Sequence, residues 1–390
     1  MPTRVRSYSK INLGLAIGPP RADGFHSLLT LYQTLALHDV VAVSATPSAE
    51  TTLTLTSNDA RVPTDARNTA WKMVESTLRH VGTHATVEIH IQKNLPIQGG
   101  MGAGSANAAA ALLGLERELS LQLPAAERLS LGATVGSDVP LFLIGGAVLG
   151  QDRGQLVSAA PALTLNGSDQ IPCVVALPGI GVSTPQAFRE WDRTLQGQNG
   201  RDLHSQGNRD IIGKLSHAYA SVFSSESQSL HEESTNTSSG ASGIVPDPVV
   251  VSSARKMKIQ TSPENLQVPS RENLHTRLDP EGRGGFENDL AENSLLALVR
   301  TGIGNDFETV VFPQYPLLRE IKRHLMGSSR DSADSAIYAA LSGSGSALFG
   351  LYRDQAGAKA AQQRLQQHGV QAIVTTTLPR PLFWSNLFAE

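Results

Sequence analysis

The sequence predicts a mixed α+β protein, for three reasons. Residues 85–92 alternate strictly between apolar and polar side chains, and residues 52–56 alternate in the same way, which is typical of half-buried strands. Residues 68–80 place apolar side chains three and four positions apart, as an amphipathic helix does. Strands and helices then alternate without the regular order that produces a doubly wound parallel sheet. With 390 residues, the chain is long enough for two domains.

The remaining elements are predicted from the same patterns and from turn and capping signals. A strand-like stretch over 4–17 precedes a turn signalled by Asp23-Gly24, and Asn68 or Thr69 is suited to cap the helix of 68–80. A helix is expected to begin at Thr184 or Pro185. The other predicted strands are 28–37, 39–43, 145–150, 171–177, 347–352 and 371–376, and the other predicted helices are 105–119, 124–134, 286–299, 315–326 and 356–368.

Composition and charge argue against several classes of function. Lys plus Arg number 32 against 35 Asp plus Glu, so a net charge of -3 gives no reason to expect a nucleic acid or an anionic membrane as partner. No signal-peptide pattern follows Met1 and no run of about 18 apolar residues occurs, so a cytoplasmic protein is expected. The single cysteine, Cys173, lies in an apolar run and is predicted to be a buried strand residue rather than a nucleophile.

Residues 196–285 differ in composition from the rest of the chain. Nine of the 22 residues from 221 to 242 are serine, and no hydrophobic period is sustained. Such a segment cannot bury enough apolar surface to offset the entropy lost on ordering it. We therefore predict a disordered insertion, and we expect deletion of about 225–280 to leave turnover intact. An unknown partner for this insertion is left open.

A glycine-rich loop stands between the predicted strand 85–92 and the helix expected to begin near Ser105. Gly99, Gly100, Gly102 and Gly104 fall within six positions. Glycine allows positive φ and a close approach to a ligand, and a helix N-terminus attracts anions, phosphate above all. A flexible hairpin, or a loop that only leads into a helix, is the alternative. The spacing fits neither a P-loop, which needs Gly-Lys-Ser/Thr, nor a dinucleotide-binding fingerprint.

Three stretches, in this order along the chain, resemble the motifs of the GHMP kinase superfamily. They are Lys10-Ile-Asn12, the loop from Pro96 to Ala106, and Ser342-Gly-Ser-Gly345. By residue type alone, Lys10 has the alternative of a solvated strand-edge position.

Within the superfamily, the chain resembles the family of 4-diphosphocytidyl-2-C-methyl-D-erythritol kinases. The stretches that carry this resemblance are 21–26, 136–142 and 305–308, together with the loop at 342–345. It covers about 1–195 and 286–378. It implies a two-domain α+β GHMP kinase fold: a ribosomal S5 domain 2-like N-terminal domain over 1–160, which binds ATP, and an α/β-sandwich C-terminal domain over 161–390, which the insertion interrupts.

The resemblance also implies an activity and two catalytic residues. The activity is phosphorylation of the 2-hydroxyl of 4-diphosphocytidyl-2-C-methyl-D-erythritol by ATP with Mg²⁺, in the non-mevalonate (MEP) pathway of isoprenoid and terpenoid precursors. Asp138 would take the proton of that hydroxyl, and Lys10 would keep Asp138 ionised. The alternatives are another GHMP kinase, acting on homoserine, mevalonate or a sugar, and a non-catalytic nucleotide-binding protein.

The residues implied to bind ATP all belong to the first glycine loop and the start of its helix. They are Pro96, Gly99, Gly100, Met101, Gly102, Ala103, Gly104, Ser105 and Ala106. The Ser105 hydroxyl would contact a phosphate oxygen or Mg²⁺, with a helix N-cap as its alternative role. Met101, Ala103 and Ala106 depart from the usual motif. Ala103 requires a negative φ, and Ala106 lacks a hydroxyl that a serine would offer to phosphate.

The residues implied to bind the second substrate are Asn12, Phe25, His26 and Phe188. Phe25 and Phe188 would sandwich the cytosine ring, and His26 would contact the edge of the ring. Asn12 would contact the methylerythritol end or orient Lys10. Core packing is the alternative for Phe188, and a turn position is the alternative for His26. Asn305 and Asp306 are expected to steady the second glycine loop without a catalytic role.

Overall fold

The computed structural model describes residues 1–97, 99–197, 292–327 and 334–390. The predicted insertion over 196–285 therefore lies outside the described residues, except for its first two positions. The described strands, in chain order, are β1 (Thr3–Pro20), β2 (His26–Pro47), β3 (Thr52–Ser57), β4 (Ala85–Gln92), β5 (Ala147–Asp152), β6 (Leu156–Ala159), β7 (Pro172–Leu177), β8 (Tyr338–Leu341), β9 (Leu348–Leu351), β10 (Gln371–Thr376) and β11 (Phe388–Ala389). The described helices are α1 (Thr69–Val81), α2 (Ala103–Glu118), α3 (Ala125–Val135), α4 (Thr184–Gly197), α5 (Ser294–Arg300), α6 (Glu308–Gln314), α7 (Pro316–Met326), α8 (Gln355–Gln367) and α9 (Arg380–Ser385), with a 3₁₀ turn at Pro140–Leu143.

Two mostly antiparallel sheets organise these elements, which confirms the α+β class. The first sheet has the order β11-β1-β2-β4-β3, and β5 pairs with β2 and with β6. The second has the order β10-β7-β9-β8 and is antiparallel throughout. Only β3 and β4 run parallel among the described pairs.

The strand β2 corrects one sequence expectation. The strands predicted at 28–37 and 39–43 are a single strand in the structure. The register against β1 passes from Tyr8↔His38 to Ser9↔Leu35, so two extra residues of β2 lie opposite this step. Such a bulge bends a strand without ending it. The early part of β2 therefore pairs with β5, and the later part pairs with β4.

The helix α2 packs closely on the first sheet because its side chains are small. Ala108 and Ala111 are fully buried, and a Cβ on Gly114 would lie 2.8 Å from Cγ2 of Val43. Small side chains allow a helix and a sheet to approach closely. This close packing also fixes the N-terminus of α2 beside β1, where the functional site lies.

Several local predictions are confirmed. The Asn68 side chain caps α1 by accepting a hydrogen bond from the Ala70 N–H. Cys173 is fully buried in β7, and burial raises the pKa of its thiol, so it is not poised as a nucleophile. Thr184 begins α4, as expected. Only the end of the helix predicted at 286–299 can be compared, since 286–291 lie outside the described residues; the described part is α5.

The C-terminal tail was not expected from the sequence. After β10, α9 and β11 return to the first sheet, where β11 pairs with β1 through Arg4↔Ala389 and Val5↔Phe388. The last residues of the second domain predicted over 161–390 therefore join the first sheet rather than the second. A two-residue strand is too short to show a period, so the sequence carries no signal for it.

Candidate active site

Two glycine loops touch each other at the centre of the site. The first loop, residues 99–102, follows β4, and the second, Ser342–Gly345, joins β8 to β9. The Ser342 hydroxyl donates a hydrogen bond to the Gly100 carbonyl at 3.0 Å. Gly100 has φ +71°, and a Cβ there would lie 2.3 Å from the Ser342 carbonyl oxygen. Because that distance admits no side chain, the contact between the loops requires glycine at position 100.

The first loop is also anchored to β1. The Lys10 N–H donates to the Met101 carbonyl at 3.1 Å, and Met101 is buried. Gly102 has φ +70°, and a Cβ there would lie 2.8 Å from the Phe142 ring and 3.2 Å from Cγ of Lys10. The loop therefore brings α2 to the Lys10 side chain.

The helix α2 begins at Ala103, two residues earlier than predicted. Ser105 lies in its first turn, and Gly102 occupies the capping position without a side-chain cap, so the alternative role of Ser105 as N-cap is wrong. Ala103 is helical, so its φ is negative, as its Cβ requires. The first N–H groups of α2 have no partner within the helix and point out of its N-terminus.

A cavity of about 390 Å³ lies over this helix N-terminus. On one side it is lined by Pro96, Gly99, Gly100, Met101, Gly102, Ala103, Gly104 and Ser105, and on the other by residues that include Arg61, Arg67, Asn68, Thr69 and Lys93. Ala106 is the one member of the predicted ATP set that does not line this cavity. Its side chain packs in the core with Phe142 and Val139, so its departure from the motif changes a buried position.

A neighbouring cleft of about 620 Å³ brings together the predicted catalytic and substrate residues. Its lining includes Lys10, Asn12, Asp138, Phe25, His26 and Phe188, and both glycine loops border it through Gly100, Gly102, Gly343 and Ser344. The two cavities therefore share Gly100 and Gly102. A group bound at the end of α2 can meet a second molecule at this point.

Lys10 and Asp138 form the polar centre of this cleft. Nζ of Lys10 lies 3.4 Å from Oδ2 of Asp138 and 2.7 Å from Oδ1 of Asn12. The Lys10 side chain is only 4% exposed, which rules out a solvated strand edge, whereas the Asp138 side chain is 30% exposed and faces the cleft. Positions 10 and 12 share one face of β1 because side chains alternate along a strand. Asp138 reaches them from the turn between α3 and the 3₁₀ turn.

Asn12 connects Lys10 to the strand beside it. Its Nδ2 donates to Oγ1 of Thr30 at 2.8 Å, and the Thr30 hydroxyl in turn donates to the Gly14 carbonyl at 2.8 Å. With Nδ2 held in this way, Oδ1 faces the Lys10 ammonium. This geometry supports the role of Asn12 in orienting Lys10.

Tyr32 also belongs to the site, although the sequence predicts only that it lies in the strand over 28–37. Its hydroxyl donates to Oδ1 of Asp138 at 3.1 Å, and its ring centroid lies 5.4 Å from Nζ of Lys10. Burial, and after it the negative charge of Asp138, raise the pKa of Tyr32 well above its ordinary value. Tyr32 lies beside Lys10 and Asp138 because it pairs with Asn12 across β1 and β2. That register cannot be read from the sequence.

The turn between β1 and β2 forms one wall of the cleft. The Phe25 N–H donates to Oδ1 of Asp23 at 3.1 Å, and Arg21 pairs with Asp23 at 3.1 Å and also with Asp152. Phe25 is 51% exposed, and the Arg153 guanidinium lies 4.7 Å from its ring centroid. The turn is thus tied to the β5–β6 hairpin, and Phe25 stands at the rim of the cleft.

His26 and Phe188 also line this cleft. Nε2 of His26 lies 2.8 Å from Oδ1 of Asp192, a residue of α4 that the sequence did not single out. The His26 ring stacks on Phe188 with centroids 4.9 Å apart, and Phe188 also meets Phe307 edge-on at 4.9 Å. One face of Phe188 is therefore covered by His26. The expected sandwich of a base between Phe25 and Phe188 has to use the remaining aromatic surface or displace the imidazole.

Asn305 steadies the second glycine loop, as expected. Its Nδ2 donates to the carbonyls of Leu341 and Gly343, both at 2.8 Å, and its Oδ1 accepts from the Phe307 N–H at 3.0 Å. Thr184 adds a second support, since its hydroxyl lies 2.6 Å from the Ser344 hydroxyl. Neither Asn305 nor Thr184 reaches Lys10 or Asp138 in these contacts.

Asp306, next to Asn305, leads to a prediction about pH and stability. It accepts a hydrogen bond from the Ile17 N–H at 2.8 Å, and burial raises the pKa of its carboxyl to about 6. Burial therefore destabilises the folded state when Asp306 is ionised. Since the pKa of an Asp in an unfolded chain is about 4, this loss of folding stability develops as pH rises from about 4 to about 6. We expect the free energy of unfolding of Asp306→Asn to rise relative to that of wild type as pH rises from 4 to 7. Chemical unfolding of both proteins at each pH measures the difference. A difference between the two proteins that does not change over this range would contradict the burial of a titrating group.

The donor set at the helix N-terminus fits a magnesium ion held mainly by nucleotide phosphates. Mg²⁺ takes oxygen ligands and commonly uses one or two protein groups with phosphates and waters. The Ser105 hydroxyl lines the cavity over this helix N-terminus and is the protein oxygen that would contact the ion. Within the described ranges, no three His, Cys, Asp or Glu side chains cluster as an all-protein metal site would need.

Comparison with known proteins places this site in a family. The GHMP kinases N terminal domain matches residues 68–146, and the GHMP kinases C terminal domain matches residues 286–371. A 4-diphosphocytidyl-2-C-methyl-D-erythritol kinase of Solibacter usitatus is 31% identical over 90% of this chain and 81% of its own length. The chain belongs to the family of 4-diphosphocytidyl-2-C-methyl-D-erythritol kinases.

Other relatives in this kinase family match a shorter part of the chain. The kinase of the same name from Rhodococcus jostii is 42% identical over 213 residues, which are 54% of this chain and 63% of that protein. The chain thus spans less than two thirds of that relative. The match is confined to about half of this chain.

Solved structures share the fold at lower identity. A 4-(cytidine 5'-diphospho)-2C-methyl-D-erythritol kinase superposes with a TM-score of 0.57 and 23% identity, covering 96% of this chain and 98% of that one. A homoserine kinase from Cytophaga hutchinsonii gives a TM-score of 0.55 at 15% identity, covering 96% and 95% of the two chains. These likenesses show the fold alone. None of the described helices has the length and apolar character needed to cross a membrane.

Proposed function

We propose that this protein transfers the γ-phosphoryl group of ATP to the 2-hydroxyl of 4-diphosphocytidyl-2-C-methyl-D-erythritol, in the non-mevalonate route to isoprenoid precursors. The observation that carries the proposal is the meeting of Lys10 and Asp138 where two glycine loops border one cleft. Membership of the kinase family supports it, as does the aromatic and imidazole lining at the far end of that cleft.

The nucleotide would occupy the cavity over the N-terminus of α2. The outward N–H groups of its first turn, and the close backbone approach allowed by Gly100 and Gly102, suit a chain of phosphates. Ser105 offers a hydroxyl to a phosphate oxygen or to Mg²⁺. When bound, the ion would neutralise phosphate charge; the positioning falls to the loop and to α2.

Asp138 and Lys10 would act on the acceptor hydroxyl. The O–H bond of the acceptor breaks and its proton passes to Asp138, while the acceptor oxygen bonds to the γ-phosphorus and ADP leaves with the bridging oxygen. Phosphoryl transfer asks for positioning and charge stabilisation more than for covalent catalysis, and proton removal adds about 10²–10⁴ in rate. Lys10, held by Asn12, would keep Asp138 ionised and favour negative charge on the acceptor oxygen.

The other end of the cleft would recognise the cytidyl group. Phe25 and Phe188 offer ring faces, and stacking of a base on an aromatic ring is worth about 1–3 kcal/mol. Since Nε2 of His26 is held by Asp192, the free Nδ1 side or the backbone of His26 is the part available to the edge of the base. Asn12 would contact the polyol near Lys10.

A substrate panel tests this proposal. Purified protein with ATP and Mg²⁺ is offered the cytidyl compound, homoserine, mevalonate or galactose, and ADP release is followed. We expect kcat/KM for the cytidyl compound to exceed the others by at least about 10³-fold, since a site built for a base and its polar edge rejects alcohols that lack them. Preferred turnover of mevalonate or homoserine would overturn the choice of substrate.

Three further assignments are proposed with it. The boundary between an ATP-binding first domain and a second domain near 160–161 is supported by its position between β6 and β7, which belong to different sheets. Small-molecule substrates, without nucleic acid or membrane as partner, are supported by the charge balance and by the cleft. A cytoplasmic location rests on composition alone.

A further inference from the structure

The Tyr32 side chain contacts both Lys10 and Asp138, although the motifs do not imply it. Its hydroxyl donates to Oδ1 of Asp138 at 3.1 Å, and its ring lies below the Lys10 ammonium, 5.4 Å from Nζ to the centroid. Tyr32 is 3% exposed. It therefore lies in the wall of the cleft, almost entirely covered, and leaves the open space to the substrates.

Two glycines leave room for the Tyr32 ring in this position. A Cβ on Gly150 of β5 would lie 2.6 Å from Cε2 of Tyr32, and a Cβ on Gly154, in the β5–β6 turn, would lie 2.6 Å from the phenol oxygen. Gly154 has φ +93°, which disfavours any other residue there. The ring and hydroxyl thus fit a space that these glycines leave open, and a larger residue at either position would clash with them.

The two oxygens of Asp138 consequently have different partners. Oδ1 accepts from Tyr32, and Oδ2 lies 3.4 Å from Nζ of Lys10. The two oxygens of an ionised carboxylate are equivalent, so a half turn about the last side-chain bond gives the same arrangement. A donor on one oxygen restricts intermediate rotations, fixes the plane of the group, and keeps the other oxygen beside Lys10.

We propose that Tyr32 is a positioning residue that acts through Asp138: its hydroxyl holds Oδ1, so that Oδ2, beside Lys10, receives the proton of the acceptor alcohol. The inference rests on the proposed function and adds the atom that serves as base. In the transfer, the acceptor O–H bond breaks, the proton binds to Oδ2, an O–P bond forms to the γ-phosphorus, and the β–γ bridging bond breaks to release ADP. Tyr32 keeps its proton throughout, since burial disfavours the phenolate.

Tyr32→Phe tests this role because it keeps the ring and removes only the hydroxyl. We expect kcat with the cytidyl substrate to fall roughly 10- to 100-fold, the value of a hydrogen bond to a charged group, while KM for ATP stays within twofold. The matched control is Tyr352→Phe, which removes a buried hydroxyl that donates to the Leu325 carbonyl at 2.9 Å, away from the cleft. Tyr352→Phe is expected to leave kcat unchanged, even if loss of this hydrogen bond lowers the melting temperature of the variant.

A double-mutant cycle separates positioning from a general structural role. If Tyr32 acts through Asp138, Tyr32→Phe in an Asp138→Asn background lowers the residual single-turnover rate less than twofold, since the group it positions is already lost. The same fold-loss in both backgrounds would overturn the proposal, and so would wild-type kcat in Tyr32→Phe. Absence of wild-type turnover with the cytidyl substrate would count against the proposed function instead, so the two failures are distinguishable.

Discussion

Asp138→Asn is expected to lower kcat for the cytidyl substrate at least about 100-fold, with nucleotide affinity close to that of wild type. The amide keeps the size of the carboxylate and can still accept a hydrogen bond from Tyr32, but it cannot take a proton. Asp138 lines the second cavity and not the one over α2, so ATP binding should be spared. Steady-state kinetics and equilibrium titration with ATP measure the two effects separately.

The control for this variant is Asp354→Asn. Asp354 caps α8 by accepting from the Gly357 N–H at 2.8 Å, and asparagine caps a helix about as well. It should therefore change neither kcat nor ATP affinity. If Asp138→Asn kept kcat within tenfold of wild type, Asp138 would not be the base.

The second large effect is expected from Gly100→Ala. The added Cβ would lie 2.3 Å from the Ser342 carbonyl oxygen, and φ is +71°, so the two glycine loops have to separate. A displacement of about 1 Å in a group that positions a reactant can cost 10²-fold in rate. We expect kcat/KM for ATP to fall about 100-fold, measured at saturating cytidyl substrate.

Gly369→Ala is the matched control for the backbone. Gly369 has φ +73°, almost the value at Gly100, but nothing lies within 4 Å of the position of its Cβ. The control therefore carries the cost of a left-handed alanine, about 1–2 kcal/mol of stability, without a clash between loops. Its kcat/KM should equal that of wild type. Equal kinetic losses in the two variants would show that contact between the loops does not matter for ATP.

The sequence predicts best what depends on local pattern. β4 has the predicted bounds because alternation and its interruption mark both of its ends, and the apolar run of β10 also has the predicted bounds. Lys10 and Asn12 share a face because they are two apart on one strand. The glycine spacing likewise predicts a helix N-terminus at a loop, and the structure shifts its start only from 105 to 103.

What the sequence could not predict depends on register and on packing between distant segments. Tyr32 meets Asp138 only because β2 pairs with β1 in one register and because the turn after α3 folds back across it. Asp192 reaches His26 only through the placement of α4. These contacts join residues more than 100 positions apart, so no local period carries them.

The central claim is that the cleft joins the γ-phosphate of ATP to the 2-hydroxyl of the cytidyl substrate. Phosphorus NMR of the product of ATP, Mg²⁺ and 4-diphosphocytidyl-2-C-methyl-D-erythritol tests it most directly. Carbon 2 of this substrate carries a methyl group and no hydrogen, so phosphorylation there gives a new phosphomonoester signal without coupling to a hydrogen on the attached carbon. We predict that signal with wild type and its near absence with Asp138→Asn over the same time. A phosphomonoester coupled to such a hydrogen, or no new monoester with wild type, would contradict the account.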